Sequence, residues 1–290
     1  MSDEKALSDQ SISLVNLGPL SKPMNTLIVK VSSAIGGLCE PWQITRVAKA
    51  EAKASVIKAN SEIEITDLRR RSVHRFIEEE AKRQENMEEI TRKALPHLAE
   101  ESNPQNMEDD WVTNFFDKSR IVSDEEMQGI WAQVLAGEAN TPGSFSKRTV
   151  NLLGDLDKRD AELFQNLCRF GWDFGKFTPL VFDTQEKIYN DLGIDFESLS
   201  HLDSLGLIQL NAMTGFSRHQ LPKNFAVAYC EEILTLTTSK ETENKISIGK
   251  VLLTQAGQEL ARVVKVPGVD GFYDYVKEKW KKHILSEETA

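Results

Sequence analysis

From Ile44 to Leu95, between Pro41 and Pro96, the chain runs 52 residues without a glycine or a proline. Glycine breaks helices through its backbone entropy, and proline through its missing N–H and ring clash, so a stretch lacking both reads as continuous helix. Alanine, glutamate, lysine and arginine dominate it, and all are good helix formers. A single helix of that length would extend about 78 Å at 1.5 Å per residue. Acid-before-base pairs four residues apart support it: Asp67 with Arg71, Glu78 with Lys82, Glu79 with Arg83, Glu88 with Arg92 and Glu89 with Lys93. Each contributes only a few tenths of a kcal/mol, so they assist the helix without deciding it. Apolar residues are sparse (Val47, Ala54, Ile57, Ile65, Leu68, Phe76, Met87, Ile90) and sustain no heptad. A long, largely solvated helix needs a partner for its apolar side. Self-association and packing on the chain's own C-terminal part are the two candidates.

The rest of the chain divides around this helix. Residues 1–43 read as a flexible leader followed by a short amphipathic helix at 24–38, with Leu27, Val31, Ile35 and Leu38 on one face and Trp42 just beyond. That face reads first as one that docks on the rest of the protein, with membrane contact as the alternative. Residues 44–95 form the long charged helix and 96–180 a helical bundle. Nine acids between 97 and 126 face only Lys118 and Arg120. Asp110 is placed as the cap of a helix carrying Trp111, Phe115 and Phe116. Ser123 with Glu126 reads as a capping box for a helix with Met127, Ile130, Trp131, Val134 and Leu135. Another helix around Lys147–Leu156 buries Val150 and Leu153, and Asp157 with Asp160 opens the next.

In residues 181–265 a helix near Gln185–Leu192 precedes Ser198–Ser204. Strand-like runs follow at Leu207–Leu210, Phe225–Tyr229, Ile233–Thr238 and Lys250–Leu253, and Thr254 caps a further helix. That order resembles a winged-helix domain. Residues 266–290 hold a C-terminal amphipathic helix with Phe272, Val276, Trp280 and Ile284 on one stripe, a candidate partner face. The fold class expected is therefore mainly α: a long N-terminal helix, a central helical bundle and a C-terminal winged-helix-like α+β domain.

Chemistry is hard to assemble from these residues. No GxGxxG, GxxxxGK[ST] or GxSxG occurs, and the five histidines never sit with a second ligand at metal spacing. No catalytic residue, cofactor or metal is expected. The sharpest local motif is Pro142–Thr149, PGSFSKRT, with Ser144 or Ser146 as cap, where Ser146, Lys147 and Arg148 at a helix start are candidates for contacting an anion. The plainer reading is a capped turn with Phe145 plugging the core. A net charge of −10 disfavours generic nucleic-acid binding. The would-be recognition helix, Asp195–Ser204, carries three acids and no lysine or arginine. The apolar run Leu27–Cys39 is too short to span a bilayer, which takes roughly 20 residues. Three scattered cysteines with no CxxC read as reduced thiols in the cytoplasm.

The segment Trp131–Phe164, WAQVLAGEANTPGSFSKRTVNLLGDLDKRDAELF, resembles the central signature of an uncharacterised bacterial family, domain of unknown function twenty-eight-oh-six. Gly37–Ala54 is similar to that family's N-terminal part, and the LTQAGQEL string around Thr254 to its C-terminal part. The resemblance covers most of the chain and implies an organisation and a bacterial source, but no reaction. The layout also loosely resembles abortive-infection proteins. The function expected is a non-enzymatic scaffold or interaction protein with itself or another protein as partner. An anti-phage effector acting at the inner membrane through residues 24–42 is the alternative, and a winged-helix DNA-binding regulator a second.

Overall fold

The computed structural model describes residues 21–35 and 67–281. Six helices come first: α1 (Lys22–Ala34), α2 (Asp67–Ala94), α3 (Asp109–Ser119), α4 (Glu125–Asn140), α5 (Lys147–Asp155) and α6 (Lys158–Cys168). Their starts follow from local chemistry. Ser21 caps α1 by accepting the Met24 N–H, and Pro23 sits in its first turn, where a missing N–H costs nothing. The α4 cap is Asp124, one residue beyond the Ser123 expected; its carboxylate accepts the N–H groups of Glu126 and Met127 at 3.1 and 3.0 Å. Aspartate adds a negative charge at the positive end of the helix, which serine cannot. The start of α3 differs more. Glu108 takes the cap position without a side-chain bond, and Asp109 and Asp110 lie inside the first turn. On α6, Asp157 and Asp160 form the expected capping box.

Helix α2 packs on α4, α3 on α5, and α1 on α3 and the Pro104–Asn106 turn. Trp111, Phe115, Phe116 and Trp131 meet at the centre, with Phe115 edge-on to Trp131 at 5.1 Å.

Beyond α6 the chain turns to strands: β1 (Gly171–Asp173), β2 (Phe177–Pro179), then helices α7 (Lys187–Asn190) and α8 (Phe196–Ser204). β3 (Ile208–Leu210), β4 (Phe216–Leu221), β5 (Asn224–Tyr229), β6 (Glu232–Thr237), β7 (Asn244–Gly249) and β8 (Val251–Leu253) follow. Helices α9 (Gln255–Ala261) and α10 (Phe272–Trp280) close the described part. The strands form a four-stranded sheet in the order β2-β1-β5-β6 and two pairs, β3 with β8 and β4 with β7, all antiparallel.

The fold is therefore α+β, which corrects the mainly α expectation. Eight strands in three antiparallel sheets lie in the C-terminal part. The segment 171–179, assigned above to the helical bundle, is a β-hairpin. Between β3 and β8 stands far more than a two-stranded wing: β5 and β6 leave as a hairpin and join β1. The missed strands lacked a signal. β1 and β2 are three residues each, and register breaks against β7 leave β4 without alternation; β7 itself alternates, with Ile246 and Ile248 inward. Of the long helix expected over 44–95, α2 is the described part at 28 residues. Residues 44–66 lie outside the described residues.

Two glycines fix how the C-terminal elements join. Gly249 has φ 88°, and a Cβ there would fall 2.4 Å from the Val181 carbonyl oxygen. Gly257 lets α9 approach β3 so closely that a Cβ would meet the Leu207 carbonyl oxygen at 2.0 Å. A single connected cluster of buried side chains runs from Leu27 to Trp280.

Candidate functional site

The PGSFSKRT turn lies between α4 and α5. Ser146 caps α5, its hydroxyl accepting the Thr149 N–H at 3.2 Å. The anion at this helix start belongs to the protein itself. Glu259 of α9 receives the Ser146 N–H at 2.8 Å and the Thr149 hydroxyl at 2.6 Å on one oxygen, and the Gln255 amide at 2.9 Å on the other. Burial alone would raise its pKa; the Thr149, Ser146 and Gln255 donors outweigh burial and hold the carboxyl below the ordinary range. Lys147 instead faces Asp110 at 3.6 Å, and Arg148 is exposed. The three candidate anion contacts therefore do not converge on an open site.

A second carboxylate grips the same turn from the other side. Glu138 of α4 is 2% exposed. It accepts the Gly143 N–H at 2.6 Å, the Phe145 N–H at 2.9 Å and the Ser144 hydroxyl at 3.4 Å. Here burial prevails over those donors, and the carboxyl is pushed above its usual range. Phe145 is buried as expected, its ring lying on Gly137 and its carbonyl accepting the Trp111 indole N–H at 2.7 Å. Sequence reasoning missed both glutamates. The available signal was an isolated acid inside an otherwise apolar run, LAGEA and AGQEL.

Beside the turn opens a cleft of about 900 Å³, lined among others by Ser144, Asp173, Lys176, Gln258, Glu259 and Arg262. Two of its polar side chains are engaged by the walls: Arg262 donates to the Ser144 carbonyl at 3.3 Å and Gln258 to the Phe177 carbonyl at 2.7 Å. Glu259 is committed to the α5 cap. Asp173 and Glu259 balance Lys176 and Arg262 in its lining, so the cleft presents polar groups of both signs. No group of three or more ligating side chains stands together among the described residues. His201 Nε2 lies 2.6 Å from Asp160, tying α8 to α6.

Leu27 and Val31 are fully buried, and Ile35, half-buried, follows the last turn of α1. The Lys30 amine bridges to Asp109 at 2.5 Å, and the Thr113 hydroxyl donates to the Ala34 carbonyl at 3.3 Å. The face thus docks within the molecule, its first reading, rather than facing lipid or a partner; Leu38 and Trp42 lie outside the described residues. No helix among the described residues is long and apolar enough to cross a membrane. The stripe on α10 is used internally too. Phe272, Val276 and Trp280 are buried in an aromatic cluster with Trp172, Tyr189 and Tyr229, which corrects their reading as a partner face. Ile284 lies outside the described residues.

Among the described residues, one apolar face stays uncovered. The first ten residues of α2, Asp67–Phe76, are exposed, with Leu68 at 69%, Val73 at 42% and Phe76 at 62%. At about 100° per residue, these three project within the same ~140° arc as Met87, Ile90, Thr91 and Ala94, which are buried against the body. The core-facing stripe of α2 thus continues, without rotation, beyond its contacts with the other described elements. Arg69 and Glu80 fall on the same arc.

The family model described as Protein of unknown function (DUF2806) matches residues 70–277. The chain belongs to this family. The DUF2806 match starts within the exposed end of α2 and ends in α10, so it takes in the clamped turn, the cleft and all three sheets. No curated protein and no solved structure matches the chain.

Proposed function

We propose that this DUF2806 protein is a non-enzymatic interaction protein that self-associates through the exposed end of α2. The carrying observation is the uncovered continuation of its core-facing stripe at Leu68, Val73 and Phe76. An amphipathic helix is stabilised chiefly by burying that stripe, so an overhanging portion gains by meeting another surface. The sequence around it complements itself. Arg69, Arg70 and Arg71 form a basic run, and Glu78, Glu79 and Glu80 an acidic one. In an antiparallel crossing, Val73 of each copy lies against Phe76 of the other. The same register places Arg69 of each copy opposite Glu80 of the other, and both lie on the arc that carries Val73 and Phe76. Such an interface is isologous and closes as a dimer.

Charge reversal tests the register. Arg69→Glu and, separately, Glu80→Arg are each expected to lose one step of association relative to the wild type in light scattering, while their mixture restores it. Assembly undiminished in either variant alone would sink the pairing. The membrane and DNA alternatives gain nothing specific: Leu27 and Val31 are buried, and Asp195, Glu197 and Asp203 leave α8 acidic and exposed.

A further inference from the structure

The two edges of the four-stranded sheet are built very differently. At one edge β2 is three residues long, ends in Pro179 and follows Lys176, all features that discourage strand addition. At the other edge β6, Glu232–Thr237, pairs with β5 over six residues in unbroken register. It holds no proline, lysine or bulge, and its single charge, Glu232, stands at the start. Tyr229 and Glu232 flank a two-residue turn, so residues 232, 234 and 236 direct their backbone groups toward β5. Ile233, Thr235 and Thr237 direct theirs outward, and no strand among the described residues pairs with them. Ile233 is 70% exposed, while Leu234 and Leu236 sit in the core on the other face.

We infer that the outer edge of β6 pairs with β6 of a second copy, antiparallel about Thr235, joining two four-stranded sheets into one. The sequence suits itself in this register. Thr235 meets Thr235, Ile233 meets Thr237, and Leu234 meets Leu236, so the apolar face of one sheet passes into that of the other. Glu232 falls opposite Thr238, Glu231 opposite Ser239 and Lys240 opposite Cys230, so no like charges face each other. About six backbone hydrogen bonds would form, satisfying the outward groups of both strands. The edge is a surface separate from α2, and its pairing does not depend on the dimer proposed above.

Two substitutions read it. Thr235→Pro removes an outward N–H while sparing every bond to β5, and Thr235→Lys places a charge at the joint with the backbone intact. Both are made in full-length protein carrying Phe76→Asp, which silences α2. Sedimentation velocity is expected to show a concentration-dependent dimer for Phe76→Asp alone and monomers for both double variants. Amide exchange at Ile233, Thr235 and Thr237 in the Phe76→Asp protein should slow as concentration rises. If Thr235→Pro disturbs folding by circular dichroism, Thr235→Lys alone decides. A Phe76→Asp protein that stays monomeric, with concentration-independent exchange at these amides, overturns the inference, as does a dimer unchanged by Thr235→Lys.

Discussion

At the residue scale, most of the chemistry in this molecule is spent on holding its own turns. Glu138 and Glu259 clamp the PGSFSKRT turn from α4 and α9, and their titrations run in opposite directions. The folded pKa of Glu259 is lowered, so its stabilisation is present above the unfolded carboxyl value, about 4.3, and is lost as pH falls through the depressed one. The folded pKa of Glu138 is raised, so its contribution is complete at low pH and is lost as pH rises through the elevated value. Glu259→Ala is expected to cost about 1–3 kcal/mol at neutral pH by leaving the Thr149 hydroxyl and Ser146 N–H unpaired, and to flatten the acid limb of urea midpoints against pH. Glu138→Gln should steepen that limb. Equal slopes in wild type and both variants would refute the assignment. These residues also mark what sequence could and could not tell. Ser146, Thr254 and the Asp157–Asp160 box were legible because a cap acts on its immediate neighbours. Glu259 was not, since its partners lie more than a hundred residues away.

At the element scale, helices announce themselves through a period of about 3.6 residues, and α4, α5 and α6 lie where that period placed them. β1, β2 and β4 gave no such signal, because they are three residues long or irregular, whereas the alternation in β7, with Ile246 and Ile248 inward, was present and passed over. The faces of α1 and α10 were legible as apolar stripes, but the stripe on α10 did not tell its destination: periodicity reports that a face wants covering, not what covers it. Leu27→Ala in α1 is therefore expected to destabilise the fold by about 2–5 kcal/mol in chemical denaturation, as core truncations do. A loss of liposome binding without loss of stability would reverse that reading. Gly257→Ala should disturb the α9–β3 junction, because the added methyl meets backbone rather than a movable side chain. A melting temperature unchanged by this substitution would show that α9 can shift without cost.

At the scale of the whole molecule, the connected core reaches from α1 to α10, and two surfaces on it are left incomplete: the end of α2 and the edge of β6. The first was half legible. The long charged helix and its need for a partner stood in the sequence, whereas the alignment of Leu68, Val73 and Phe76 with the buried stripe needed the packing of α2 on α4. The second was not legible, since which strand ends a sheet depends on topology alone. Together they make self-assembly the central claim about this protein. Phe76→Asp on the exposed end of α2 should leave the melting temperature close to wild type, because Phe76 is 62% exposed and touches little among the described residues. The most direct measurement is sedimentation velocity of the wild-type protein and Phe76→Asp across a wide concentration range. The wild type is expected to sediment at least as a dimer, and Phe76→Asp to lose one step of association at every concentration. A wild-type protein that stays monomeric throughout, or one whose assembly is untouched by Phe76→Asp, would contradict it.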